Sequence, residues 1–243
     1  MSRTAAVLII GNELLSGKIQ EANLVELAQL LRSLGIELRR VVFIPDERDQ
    51  IAREVSALAS SHDYLFTSGG VGPTHDDVTL DSVAAAFGVP IVAHPDLVKL
   101  FEDHYGENLN EGHLRLASIP EGAQLISASA SPWPVALMRN VWILPGIPEV
   151  FRMKLPIIKE HIQSDGPFIT RAVFTKMDET DLTTLLDQVV QKHSEVQIGS
   201  YPTWNSPNYR TKITFDGKAN DIIDKALEEF VTLLPDGEPQ WVE

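Results

Sequence analysis

An α/β fold with a mainly parallel sheet, followed by a small α+β unit, is what this 243-residue sequence predicts. Two observations carry the first part. Short, continuously apolar runs, residues 5–10 and 141–144, suit strands buried on both faces, and they alternate with helical patterns. Several of these runs also empty directly into glycine- and proline-rich exits, as strands of an open parallel sheet do at their carboxyl ends. The third observation is a change of pattern beyond the polar link at residues 163–167, which contains Gly166 and Pro167.

Taken in order, residues 5–10 form the first strand. Leu24, Leu27, Leu31 and Leu34 then recur at helical spacing, with Gly35 where a C-cap belongs. Residues 41–44 make a second strand stopped by Pro45, and Ile51, Val55, Leu58 and Ala59 mark the next helix. A third strand at 64–68 runs into Gly69-Gly70-Val71-Gly72-Pro73, followed by helices at 78–87 and 96–105 and a polar loop at 106–112. The strand at 141–144 is halted by Pro145-Gly146, and a helix covers 148–162. The rest reads strand 169–176, helix 181–192, strands 196–201 and 209–215, and helix 220–234, a βαββα unit. The expected domains are therefore residues 1–165 and 166–243.

Composition excludes several functions. With no cysteine there is no disulfide, thiol nucleophile or cysteine-held zinc, which suits a reducing compartment. Acidic residues outnumber basic ones 34 to 20, a net charge of -14 that repels nucleic acid. No apolar run near the start is long enough to span a membrane or serve as a signal peptide. The expectation is a cytoplasmic protein with a small-molecule partner and no nucleic-acid or membrane partner.

Four strand exits carry the candidate chemistry. In the segment from Ser68 through Gly69, Gly70, Gly72, Pro73 and Thr74, glycines can turn with positive φ and offer amides to a phosphate. Asp76 and Asp77 follow. They either cap the next helix or face the phosphate through a divalent cation. Asp46, after the second strand, either caps a helix starting near Glu47 or reaches across to Asp77, so that the pair holds a cation or orients water. Gly11 and Glu13 leave the first strand, Glu13 being either a solvated loop acid or a site group. Pro145, Gly146, Pro148 and Glu149 leave the strand at 141–144. The seven histidines show no zinc spacing, and the tryptophans read as packing residues, with Trp204 alone flagged as exposed.

These motifs resemble a known family. Ile10-Gly11-Asn12-Glu13-Leu14-Leu15-Ser16-Gly17 with Asn23, the stretch from Ser68 to Thr79, Pro120-Glu121-Gly122-Ala123 and the stretch from Leu144 to Glu149 are similar to the signatures of CinA-type molybdopterin-binding (MoCF) domains. The resemblance implies a MoCF-like three-layer sandwich in a homo-oligomer. It makes Asp46 and Asp77 the functional acids and has Gly69, Gly70, Gly72 and Thr74 hold a terminal phosphate. Where CinA proteins carry Gly-Thr-Ala-Pro-Gly, this chain has Ser131-Pro132-Trp133-Pro134-Val135, and residues 133–141 look like the N-terminal domain of eukaryotic FAD synthases. No synthase or deamidase domain accompanies it, so adenylyl transfer is not expected. The function expected is metal-dependent hydrolysis of a nucleotide pyrophosphate such as ADP-ribose or FAD. Asp46 and Asp77 would be catalytic, and Asp46, Asp76 and Asp77 would hold Mg, Mn or Co. The alternative is a module that binds molybdopterin or a nucleotide without turning it over.

Overall fold

The computed structural model describes residues 2–128 and 131–243. The chain divides into two compact units, Met1–Asp165 and Gly166–Glu243.

In the first unit the elements run β1 (Thr4–Ile10), α1 (Asn12–Leu15), α2 (Asn23–Ser33), β2 (Glu37–Ile44), α3 (Arg48–Ser61), β3 (Tyr64–Ser68) and α4 (Thr79–Phe87). They continue with β4 (Ile91–Ala93), α5 (Pro95–Tyr105), α6 (Glu111–Leu116), β5 (Ser118–Pro120), β6 (Gln124–Ala128), β7 (Ser131–Met138), β8 (Val141–Leu144) and α7 (Pro148–His161). Six strands form one sheet in the order β2-β1-β3-β8-β7-β6. The first four are mutually parallel, and β7 and β6 are antiparallel additions.

The apolar run of β1 is explained by what lies on its two faces. Ala5, Val7 and Ile9 pack with Leu27 and Leu31 of α2 and Phe151 and Ile157 of α7. Ala6, Leu8 and Ile10 pack with Ile51, Val55 and Leu58 of α3 and Val83 of α4. Alternate side chains of a strand point to opposite faces, so a strand between two helical layers has no polar face to show. This is the expected three-layer sandwich. Helix α2 ends as the sequence suggests: Gly35 has φ of 72°, its amide reaches Arg32 O, and the Ile36 amide reaches Leu31 O, a Schellman closure.

Three expectations are corrected. Residues 106–112 are not all loop: Gly106–Asn108 makes a 3₁₀ turn, and α6 starts at Glu111 behind a capping box in which Asn110 accepts from the His113 amide. Asp46 does not cap α3, whose N-cap is Glu47 without a side-chain bond. Neither Asp76 nor Asp77 caps α4, whose N-cap is Val78.

The second unit contains β9 (Ile169–Thr175), α8 (Glu179–Lys192), β10 (Gln197–Pro202), β11 (Thr211–Gly217), α9 (Asn220–Leu233) and β12 (Trp241–Val242). Its sheet, β10-β11-β9-β12, is antiparallel throughout. Leu182 and Val189 of α8 and Ile223, Ala226 and Phe230 of α9 bury Val173, Ile213 and Phe215. The terminal strand β12 extends the βαββα pattern, with Trp241 stacked on Phe174 at 4.4 Å. No helix among the described residues is long and apolar enough to cross a membrane.

Candidate functional site

The parallel strands β1, β3 and β8 end side by side, and a cleft of about 460 Å³ opens beyond them. Its floor is the glycine loop after β3. Gly69 and Gly70 have φ of 107° and 62°, a turn that β-carbons would obstruct. A side chain at Gly69 would strike the Ile10 carbonyl, and one at Gly70 the Thr79 hydroxyl. Thr79, fully buried, holds the loop down: its Oγ1 donates to Gly69 O at 2.8 Å and its amide to Gly70 O at 3.0 Å.

What the loop presents is a set of amides. The Gly69 amide is engaged by Leu144 O at 3.3 Å. Among the described residues, the Gly70, Val71 and Gly72 amides donate to no protein acceptor. Three consecutive N–H groups without a protein acceptor, beginning at the left-handed Gly70, make this loop a candidate seat for an anion.

Asn23 joins the three segments around this loop. Its side-chain amide donates to Ser68 Oγ at 3.0 Å and to Gly146 O at 2.9 Å, so the start of α2 ties β3 to the β8 exit. Gly146 lies close enough that a β-carbon there would sit 3.2 Å from the Gly69 Cα. The amides at the start of α2 are already occupied, because Glu21 accepts from Asn23 N at 2.7 Å and Leu24 N at 2.9 Å. That helix end is closed to an external anion.

Of the residues singled out in the sequence, Glu13, Asn23, Ser68, Gly69, Gly70, Gly72, Pro73, Asp77, Pro145, Gly146 and Pro148 line the cleft. Gly11 lies beneath it, where a β-carbon would sit 2.5 Å from a Glu13 carboxylate oxygen. Glu149 and Thr74 are exposed and do not line it. Thr74 instead organises the acids: its Oγ1 lies 2.6 Å from Asp76 Oδ1 and 2.5 Å from Asp77 Oδ2, and its amide donates to Asp77 Oδ2 at 2.9 Å. The Thr74 hydroxyl holds the Asp76 carboxyl below its ordinary range, so it is ionised at neutral pH.

Asp46 is placed differently from expectation. Its Oδ2 accepts the Asn12 amide at 2.8 Å, and it is not among the cleft-lining residues. By holding the first amide of α1 it fixes the turn from which Glu13 enters the cleft. Glu21, Val71 and Ile147 also line the cleft and escaped the sequence reading. A signal for Glu21 existed: Ala22, at the N-cap of α2, has no side chain with which to cap.

Among the described residues three carboxylates, Glu13, Glu21 and Asp77, face the cleft, and no lysine or arginine does. An anion seated on the loop amides would lack a cationic side chain beside it. The expected three-aspartate metal centre is corrected: no group of three or more His, Asp or Glu among the described residues is gathered as a cation cage. The donor set suits another mode. Mg²⁺ commonly takes one or two protein carboxylates and completes its shell with substrate phosphates and water. Asp77 beside the loop fits a cation carried in this way, and a resident cage does not fit.

Comparison with known proteins agrees with this architecture. Residues 6–163 match the model of the probable molybdopterin binding domain, and residues 167–242 match that of the FAD synthase middle domain. A protein of Archaeoglobus fulgidus is 30% identical over 230 residues, covering 95% of this chain and 97% of its own length. A probable FAD synthase of Caenorhabditis elegans is 31% identical over 260 residues, covering 96% of this chain and 50% of that protein. The chain thus spans about half the length of its FAD synthase relatives. The crystal structure of CinA from Thermoplasma acidophilum superposes with a TM-score of 0.59 at 27% identity, over 65% of this chain and 97% of that one. This chain belongs to the probable molybdopterin binding domain family, and the unit that follows is similar to the FAD synthase middle domain.

Proposed function

We propose that the cleft binds the phosphates of a nucleotide or pterin and hydrolyses a pyrophosphate linkage such as that of ADP-ribose or FAD. The observation that carries this reading is the combination of three free loop amides with the carboxylates of Glu13, Glu21 and Asp77 on the walls of the same cleft. Amides fixed in a loop take up phosphate charge without reorganising. The amides of Gly70, Val71 and Gly72 hold the phosphoryl oxygens. From the loop side Asp77 would hold a divalent cation that comes with the substrate, and such a cation would supply charge neutralisation and a more acidic water.

With Glu21 accepting from the α2 amides and Asp77 from Thr74, Glu13 is the cleft carboxylate best suited to take a proton from the attacking water. The water oxygen bonds to phosphorus, the bridging P–O bond breaks, and its electron pair leaves with the departing phosphate. Two monophosphates result. Asp46 is a positioning residue in this scheme, acting on Glu13 through Asn12. A second reading, binding of molybdopterin or a nucleotide without turnover, is supported by the same Gly70–Gly72 amides, which can hold a phosphate whether or not it is turned over.

A screen of ADP-ribose, FAD, NAD and CoA with Mg²⁺, Mn²⁺ or Co²⁺, following mononucleotide release, tests the reading. Metal-dependent release from at least one compound is the expected result. A ligand-induced thermal shift with no product from any combination favours binding without turnover.

A further inference from the structure

A second cavity, of about 600 Å³, adjoins the cleft and shares Val71, Pro145 and Ile147 with it. Its character is different. Phe101, Tyr105, His104 and Trp133 contribute aromatic faces over a floor of aliphatic side chains. Phe101 lies 5.4 Å from Trp133, and His104 meets Trp133 edge-on at 5.0 Å.

One charged residue belongs to the wall of this apolar space. Lys154 of α7 is 6% exposed, and its ammonium donates to two neutral acceptors, Trp133 O at 2.8 Å and Pro134 O at 3.1 Å. An ammonium has three donors, so one N–H is left over. No carboxylate lies within ion-pairing distance of it among the described residues. Burial without a counter-ion is costly for a cation, and it pulls the Lys154 pKa down to about 8. The sandwich could have held an apolar side chain here at less cost. The cleft mechanism makes no use of Lys154.

Resting on the phosphate reading of the neighbouring cleft, we infer that this cavity receives a fused, carbonyl-bearing heteroaromatic ring of the same ligand, with Lys154 donating to a ring carbonyl. Trp133, half-buried on the cavity wall and backed by the buried Phe101, supplies a flat surface against which such a ring stacks. A ring carbonyl accepts the leftover N–H, and hydrogen bonds from a charged donor are the stronger kind. An adenine ring has no carbonyl and makes a poorer partner. Isoalloxazine and pterin rings both have the required edge. The shared wall lets one ligand keep its phosphate on the Gly70–Gly72 amides and its ring beside Lys154.

The test uses the full chain and probes that separate ring from phosphate. Riboflavin and neopterin carry such rings without phosphate, and their fluorescence reports binding directly. ADP-ribose with Mg²⁺ carries phosphates without such a ring and is followed by thermal shift. Saturable quenching of riboflavin or neopterin is expected, and the compound that binds tells flavin from pterin. Lys154→Met should weaken that binding by about tenfold or more, and Trp133→Ala, which leaves Lys154 intact, should weaken it independently. Far-UV circular dichroism identifies the folded variants. Failure of both ring compounds to bind overturns the inference, and a retained ADP-ribose shift then leaves the proposed function standing. Undiminished ring binding in the folded variants overturns it equally. Ring binding without any ADP-ribose shift removes the phosphate reading and leaves the ring site.

Discussion

The Asp77 carboxylate lies against Gly72 so closely that a β-carbon on that glycine would collide with it. The absence of a side chain at Gly72 is what lets an acid sit beside the loop amides. Gly72→Ala should therefore displace Asp77 and weaken ADP-ribose binding by about tenfold or more, a loss of roughly 1.4 kcal/mol. Gly72 has no positive φ to defend, so its folding stability should change by less than about 1 kcal/mol. Gly69→Ala is the contrasting case. Its methyl group meets the Ile10 backbone at positive φ, and about 1–3 kcal/mol of folding stability should be lost. Urea unfolding and isothermal titration distinguish the two.

Asn23 should behave as a structural tie. Asn23→Ala leaves the Gly146 carbonyl and the buried Ser68 hydroxyl without their donor. The expected cost is about 1–3 kcal/mol, the penalty of one unsatisfied buried group at Ser68, because Gly146 is exposed and its carbonyl can turn to water. Urea unfolding should register this before any assay of turnover.

Much of this architecture was legible in the sequence because burial on both faces leaves a plain signature. The runs of β1 and β8, and β3 up to Phe66, are apolar since each strand lies between two helical layers. The edge strand β2 begins at Glu37 and carries Arg39 and Arg40, so only its apolar end stood out. The short β5 and β6 lack a long apolar run, and β5 and β7 contain Pro120, Pro132 and Pro134, residues that argue against strand. The glycine loop was legible because its residue types are dictated by backbone geometry. The role of Asp46 was not, because position at a strand end does not say which donor a carboxylate will turn to. Lys154 was hidden for a similar reason: one lysine among the polar positions of a helix does not reveal its burial.

Asp46 should therefore tolerate the substitution that keeps its acceptor. Asp46→Asn retains an oxygen for the Asn12 amide and should keep turnover within about tenfold of wild type, while Asp46→Ala should lose more by releasing the turn beneath Glu13. Steady-state rates of the two variants, with KM and kcat separated, decide the point. Equal losses would make Asp46 a charge the reaction needs.

Chelation should separate activity from stability. Because no cation cage is gathered among the described residues, EDTA should abolish hydrolysis yet leave the melting temperature of the ligand-free protein unchanged. A drop of several degrees on chelation would reveal a resident ion.

Lys154 should give stability an unusual pH dependence. Its folded pKa, about 8, is below the ordinary 10.5, so between these values the unfolded chain binds more protons than the folded one. Stability then rises with pH across that window, and the cost of the buried cation is fully present below pH 8. Relative to Lys154→Met, wild type should gain on the order of 3 kcal/mol between pH 7.5 and 10.5. Urea unfolding of both proteins across that range measures the difference, and a constant gap would mean that Lys154 keeps its ordinary pKa.

The account turns on Asp77 anchoring a cation beside the phosphate held by the loop. Rates of mononucleotide release from ADP-ribose or FAD by wild type and Asp77→Ala, at saturating divalent metal, test it most directly. The prediction is a loss on the order of 10²–10⁴ in the variant with its fold intact. An Asp77→Ala protein that hydrolyses at the wild-type rate would contradict it.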